Sequence, residues 1–273
     1  MSRPRWGARR RQRLKLAVGA ALVAVLVSLA LLAPVLAPCD PLRQDLAGDL
    51  APPSSAHRLG QDKLGRDVLA RLLYGARTSL VVGSAAVSGA LVLGVVLGTL
   101  AGYGRPAVDE LIMRVTDVLL AFPGILLAIA LTAVLGPSER NVVVALTVMG
   151  WPAYARLTRA EVRAAAGREY VAAAVALGAH PLRVALRHLI PAASTALLIQ
   201  ATFGLAAAIL AEASLSFLGL GAPPPAPSWG AMLAEGRSFL LLAPHLVVAP
   251  GIAIATTVLA INLVGEGLRG DAT

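Results

Sequence analysis

The chain alternates long apolar runs with short polar ones. Residues 16–37 carry no charge, and neither do residues 79–103. Further apolar runs cover 115–135, 142–155, 192–211 and 246–264. About 20 apolar residues cross a bilayer core as a helix, and helices satisfy their own backbone there. The pattern predicts an all-α polytopic membrane protein with six transmembrane helices. It divides into a basic cytoplasmic tail (1–15), a first transmembrane helix (16–38), an extracytoplasmic loop (39–77), a five-helix membrane domain (78–268) and a short tail (269–273). The run at 142–155 is short for a span, so it is expected to continue as a helix beyond the membrane, with Pro152 able to kink it. The last span is interrupted by Pro250-Gly251.

The polar stretches carry pattern of their own. In 39–77 the motif LGQDKLGRD, residues 59–67, leads into Leu69, Leu72, Leu73 and Ala76, an apolar stripe at helical spacing. Asp67 is placed to favour a helix N-terminus. An amphipathic helix on the outer surface is expected here, acting as a packing and re-entry element. A direct ligand role for Asp62, Lys63, Arg66 or Asp67 is the alternative. Gly94, Gly98 and Gly102 recur every fourth residue, a ridge that lets another helix approach closely.

The stretch 159–191 is the longest polar interruption in the second half. Tyr170, Ala173, Ala174 and Leu177 share one helical face, and Gly178 follows where a left-handed C′ residue would stop the helix. Pro181 suits the first turn of a second helix, in which Leu182, Leu186 and Leu189 face one way and Arg183 and Arg187 the other. A helix–glycine–helix knob with a small-residue face is suited to docking into a protein groove.

Composition narrows the class further. Hydrophobic residues make up 57% and charged residues 14%, which excludes a disordered chain and is far from a soluble domain. A net charge of +9 could signal nucleic acid, but aromatic residues are only 4% and the basic residues sit between apolar runs. Membrane topology explains them better. With the N-terminus inside, sixteen Lys and Arg fall on inner segments and eight on outer ones, as the positive-inside rule requires. The knob then faces the cytoplasm. The first apolar run is longer than a signal-peptide core, so an uncleaved span is expected, and Pro38 beside Cys39 argues against a lipoprotein site.

No catalytic constellation emerges. Cys39 is the one cysteine, and His57, His180, His188 and His245 lack metal-ligand spacing. There is no phosphate-binding G-x-x-x-x-G-K-[ST] loop and no G-x-S-x-G turn. Asp117 and Glu212 are acids within apolar runs, costly if they face lipid. Either they line or gate a path, or each is neutralised near the membrane interface, Asp117 by Arg114.

Four motifs taken together resemble the permease subunits of ATP-binding cassette importers for dipeptides, oligopeptides and nickel. They are LGQDKLGRD (59–67), RVTDVLLAFP (114–123), the knob 169–191, and EASLSFLGLGAPPPAPSWG (212–230). The knob is similar to the family's cytoplasmic signature, whose Gly falls on Gly178 and whose alanines fall on Ala173 and Ala174. Its acidic position falls on Ala172, so no acid stands there, and its Leu-Pro falls on Ile190-Pro191. The resemblance implies that Glu169, Tyr170, Ala173, Ala174, Leu177 and Gly178 couple the chain to an ATP-hydrolysing subunit.

It also implies a bacterial inner-membrane subunit with both termini cytoplasmic. This subunit binds no cofactor, with ATP and Mg held by partner subunits. The implied partners are a second homologous permease, two ATP-binding subunits and an extracytoplasmic substrate-binding protein. Peptide is the expected cargo and nickel or a nickel chelate the runner-up. An ion-coupled secondary transporter using Asp117 and Glu212 and a membrane-embedded enzyme are the alternatives from other classes.

Overall fold

The structure, a computed structural model, describes residues 5–271, with side chains over 10–269. Residues 1–4, at the start of the expected basic tail, and residues 272–273 lie outside it. The described chain is helical, and its sole β feature is an isolated bridge between Gln61 and Asp67.

Helix α1 (Arg5–Leu31) begins inside the arginine-rich segment, so the described part of that tail is the first turns of the first long helix. A single turn, α2 (Ala33–Leu36), ends it. After an irregular loop, α3 (Val68–Tyr103) runs unbroken for 36 residues. Asp67 is its N-cap, with Oδ1 accepting from the Ala70 backbone N–H at 2.8 Å. The separate amphipathic helix expected before residue 79 is therefore the first turns of α3 itself. Of its stripe, Leu73 and Ala76 are buried and Leu69 and Leu72 half-buried, and Leu72 and Ala76 pack in one cluster with Trp229 and Met232.

Helices α4 (Pro106–Ala121) and α5 (Gly124–Leu135) meet at a 92° bend. Pro123 explains the break, since it cannot continue the hydrogen bonding of α4 and biases Phe122 toward the extended conformation it adopts. The single span expected over 115–135 is thus two helices. Helix α6 (Glu139–Ala166) continues through Pro152 for 28 residues, leaving the apolar run and ending in the charged region. Helix α7 (Glu169–Ala176) and α8 (Pro181–Val184) flank the glycine turn. A π-helical turn, Ala185–Leu189, joins α8 to α9 (Ile190–Phe217). Helix α10 (Trp229–Gly236) is short, and α11 (His245–Asp271) passes straight through Pro250, so the expected interruption of the last span is absent.

Four helical segments, 10–31 in α1, α3, 181–217 and 245–269 in α11, are long and apolar enough to cross a membrane, and the bent α4–α5 pair makes a fifth if it is one crossing. The expected six is not reached by length and composition, because α6 carries Arg156, Arg159 and Arg163 in its second half. The longest pairing is α3 with α6, and α1 lies along α11. Lys15 Nζ meets Glu266 Oε2 at 2.5 Å, so the start of α1 and the end of α11 lie on the same side.

Candidate functional site: knob, helix ridge and acids within the apolar runs

The knob is built as a Schellman-type helix stop. Gly178 takes φ +81°, its N–H donates to Val175 O at 2.9 Å, and the Ala179 N–H donates to Ala174 O at 3.1 Å. The ring of His180 caps the next helix by accepting from the Leu182 N–H, with Pro181 at its first position. Val171 roots α7, fully covered among Val162, Ala165, Val184 and Leu189. The other side faces outward: Glu169, Tyr170, Ala173 and Leu177 are exposed, Leu177 at 88%, and Ala174 is half-buried. Tyr170 leans on the His188 ring, centroids 5.9 Å apart.

The second helix of the knob departs from the expected face. Leu182 and Leu186 are exposed while Val184, Ala185 and Leu189 are buried. The π-turn causes the shift. Pro191 has no N–H to give Arg187 O and its ring would press on that carbonyl, so the helix widens and its register changes.

The glycine ridge faces α6. A Cβ at Gly94 would strike Tyr154 and Ala155, one at Gly98 would strike Ala155 and Thr158, and one at Gly102 would lie 2.9 Å from Val162 Cγ1. The two backbones approach as closely as missing side chains permit.

Asp117 sits on an open cavity of about 640 Å³ with Asp109, Arg114 and Arg159. Its partner is Arg156, at 2.5 Å from Oδ1, not the expected Arg114, which bonds Glu110 on its own helix at 3.2 Å. Asp109 on α4 receives Arg159 and Arg163 from α6. The cavity is walled mainly by α4, with Arg159 reaching it from α6, and along the seam between the two helices Asp109 and Asp117 meet Arg156, Arg159 and Arg163. Arg156 and Asp109 carried no signal in the sequence as partners, because each lies about 40 or more residues from its counterpart.

Glu212 is 3% exposed on α9. Ser216 Oγ donates to its Oε1 at 2.7 Å, while Oε2 and the nearby Ser79 Oγ have no partner. Glu212 thus faces the packed junction of α3, α9 and α10 and does not line the α4–α6 cavity. The two acids of the sequence reading do not meet.

A third group gathers two residues that the sequence offered as alternative ligand residues and two that it did not mark. Asp62 and Arg66, from the LGQDKLGRD motif, join Arg71 of α3 and Glu235 of α10. Arg66 Nε reaches Asp62 Oδ2 at 2.7 Å and its Nη2 reaches Glu235 Oε2 at 2.6 Å. Arg71 Nη1 bonds Asp62 and also Glu235 Oε2, the latter at 2.8 Å. Burial pushes the Asp62 carboxyl up, but the Leu64 and Arg66 N–H groups and the charges of Arg71 and Arg66 outweigh it and hold it below the usual range. Glu235 is likewise raised by burial and brought lower by Arg71 and Arg66. Among the described residues, no group of three His, Cys, Asp or Glu side chains could hold a metal ion.

With this geometry in hand, comparison with known proteins defines the class. Residues 94–270 match the family described as binding-protein-dependent transport system inner membrane component, and residues 10–53 match the N-terminal TM domain of oligopeptide transport permease C. The chain is 42% identical over 252 residues to a dipeptide transport system permease protein DppC of Alkalihalophilus pseudofirmus, covering 92% of this chain and 83% of that one. It is 47% identical over 217 residues to a glutathione transport system permease protein GsiD of Pectobacterium atrosepticum, covering 80% and 72%. It is 45% identical over 251 residues to a di/tripeptide transport system permease protein DppC of Pseudomonas aeruginosa, covering 90% and 83%. The fold is similar to a chain of the inward-facing MetNI methionine ABC transporter, with TM-score 0.60, 19% identity, and 74% of this chain and 96% of that one covered.

The protein is a permease of the transport class. It belongs to the binding-protein-dependent transport system inner membrane component family, as a multi-pass inner-membrane subunit of an ATP-binding cassette importer.

Proposed function

We propose that this permease moves short peptides inward and is driven through the 169–178 knob by ATP-hydrolysing partners. The chain contributes shape and coupling and does no bond chemistry. A second homologous permease completes the path, two nucleotide-binding subunits grip the knobs, and an external binding protein delivers cargo. Nucleotide binding on one side and a loaded binding protein on the other each bias a two-state arrangement of the helices.

The observation that carries this reading is the outward face of α7. Tyr170 and Leu177 are large apolar side chains left exposed on a helix that is rooted by Val171 and stopped by Gly178. Exposed apolar surface on a rigid peg is what a docking element presents. The pairing of Lys15 with Glu266 and the bias of basic residues support a cytoplasmic position for both ends and for the peg. Peptide as cargo is supported by relatives named for dipeptide, di/tripeptide and glutathione transport. None of these is named for nickel.

The test is uptake of labelled di- and tripeptides by proteoliposomes holding the full assembly, with and without ATP. Ala174→Asp, which puts a charge beside the docking face, should abolish uptake while membrane insertion persists. Normal ATP-dependent uptake in that variant ends the coupling claim, and uptake without ATP ends the importer claim.

A further inference from the structure

Helix α10 has eight residues, yet its two ends are bound into different parts of the molecule. At its start, Trp229 is almost fully covered and its Nε1 donates to Leu72 O of α3 at 3.1 Å. Gly230 lies so close to α9 that a Cβ there would collide with Ala213 O. Ser228 caps the helix through the Ala231 N–H at 3.2 Å. At its other end, Glu235 accepts from Arg66 and Arg71, which also bind Asp62. Asp67 joins the loop to α3 as its N-cap, and two bonds brace the loop internally: His57 Nδ1 meets Asp67 at 2.8 Å, and the Gln61 side chain donates to Gly65 O at 2.8 Å.

We propose that Glu235 and Arg71 are positioning residues for transport: they make the outer loop 57–67, α10 and the outer end of α3 one rigid plate, so that a load on the loop is delivered to α9. The choice of chemistry supports this. Apolar contacts resist separation but slide easily. Arginines shared between two carboxylates fix direction and register as well. A buried ion network adds little stability over an apolar core, and removing one member leaves the others unpaired. Its distinctive product here is fixed geometry. The exposed Lys63 stands at the tip of the turn closed by Gly65 N–H to Asp62 O at 2.8 Å, so the loop has a surface on which to be pushed. From Glu235 to Gly230 the path is a helix under two turns long, and Gly230 abuts the α9 segment that carries Glu212 and Ser216.

The proposal rests on the reading that an external binding protein acts on the outer face, and its test separates the two. The full assembly in lipid nanodiscs is compared with Glu235→Gln by amide hydrogen exchange and by ATP hydrolysis, the latter with and without loaded binding protein. In the variant, exchange over 57–67 and 229–236 should rise together, about tenfold for loss of a buried charged hydrogen bond, with α6 unchanged. Basal hydrolysis should persist while its stimulation by the binding protein is lost. Unchanged exchange overturns the plate, and faster exchange with full stimulation overturns its role in transport. If the unmodified assembly shows no stimulation, the importer reading fails. The transport role then fails with it, while exchange still decides the plate. Should Glu235→Gln fail to insert, Glu235→Asp, which retains the charge and shortens the reach, carries the same comparison.

Discussion

Arg159 holds Asp109 with two nitrogens of its guanidinium, Nε on Oδ1 and Nη2 on Oδ2 at 2.8 Å. The two residues are 50 positions apart, on α6 and α4, and Arg163, one turn further on, shares the same carboxylate. This pair ties the helix that leads to the knob to the helix that lines the open cavity.

Asp109→Asn should loosen that tie. A double-mutant cycle with Arg159→Gln, read by thermal unfolding in detergent, should give a coupling energy of about 1 kcal/mol, the upper end for partly exposed pairs. Asp117→Asn should cost less, because its pair with Arg156 is more than half exposed, at 66% and 53%. Equal costs for the two would contradict the assignment.

Gly178 holds a positive φ that other residues adopt at a cost. Gly178→Ala should destabilise the knob by about 1 kcal/mol and lower transport-coupled ATP hydrolysis more than chain abundance. Gly178→Pro should abolish coupling, since proline can neither reach φ +81° nor donate to Val175 O. Uptake assays against Western-blot abundance separate coupling from folding. Full uptake by Gly178→Pro would remove the knob from the mechanism.

Gly98→Leu should prevent α3 and α6 from packing. A Cβ alone already strikes Ala155 and Thr158 there, and overpacking a close helix contact costs about 1–3 kcal/mol or more. Loss of the folded protein in size-exclusion chromatography is the expected outcome. Gly136→Leu, at a turn with nothing within 4 Å, should leave a folded protein, with only the local strain of its positive φ.

Asp62 and Glu235 make stability depend on acid. Both carboxyls sit below their ordinary range in the folded protein, so the unfolded chain binds protons more readily. Their contribution is complete above the ordinary carboxylate range of about 4. It is lost as pH falls through that range and through their lower folded values. The unfolding midpoint should be flat from neutral pH down to about 5 and fall below about 4, with a shallower fall in Glu235→Gln. A slope unchanged by that substitution would place the acid sensitivity elsewhere.

Much of this architecture is legible in the order of residues. Apolar length alone marks most of the membrane-crossing helices, since hydrocarbon admits backbone only when it is internally bonded. Asp67, Gly178 and Pro181 sit at helix ends for reasons local to their own chemistry, and the structure finds them there. Continuity is harder to read from single residues. Pro123 breaks a helix, while Pro152 and Pro250 lie inside helices that run on. A proline removes one hydrogen bond in every case, and only surrounding packing decides whether the helix bends.

Pairing is where the linear order falls silent. Asp117 looks closest to Arg114 along the chain but meets Arg156, and Glu235, an unremarked acid, closes a cluster with residues more than 160 positions earlier. Charges act over a few ångströms of space, so their partners are set by which helices lie together. The sequence by itself determined the class, the helix ends and the small-residue faces, because these depend on local chemistry and on the bilayer as solvent. Only the tertiary structure decided which acid meets which base, which face of the knob is rooted and which is free, and how α10 links the 57–67 loop to α9.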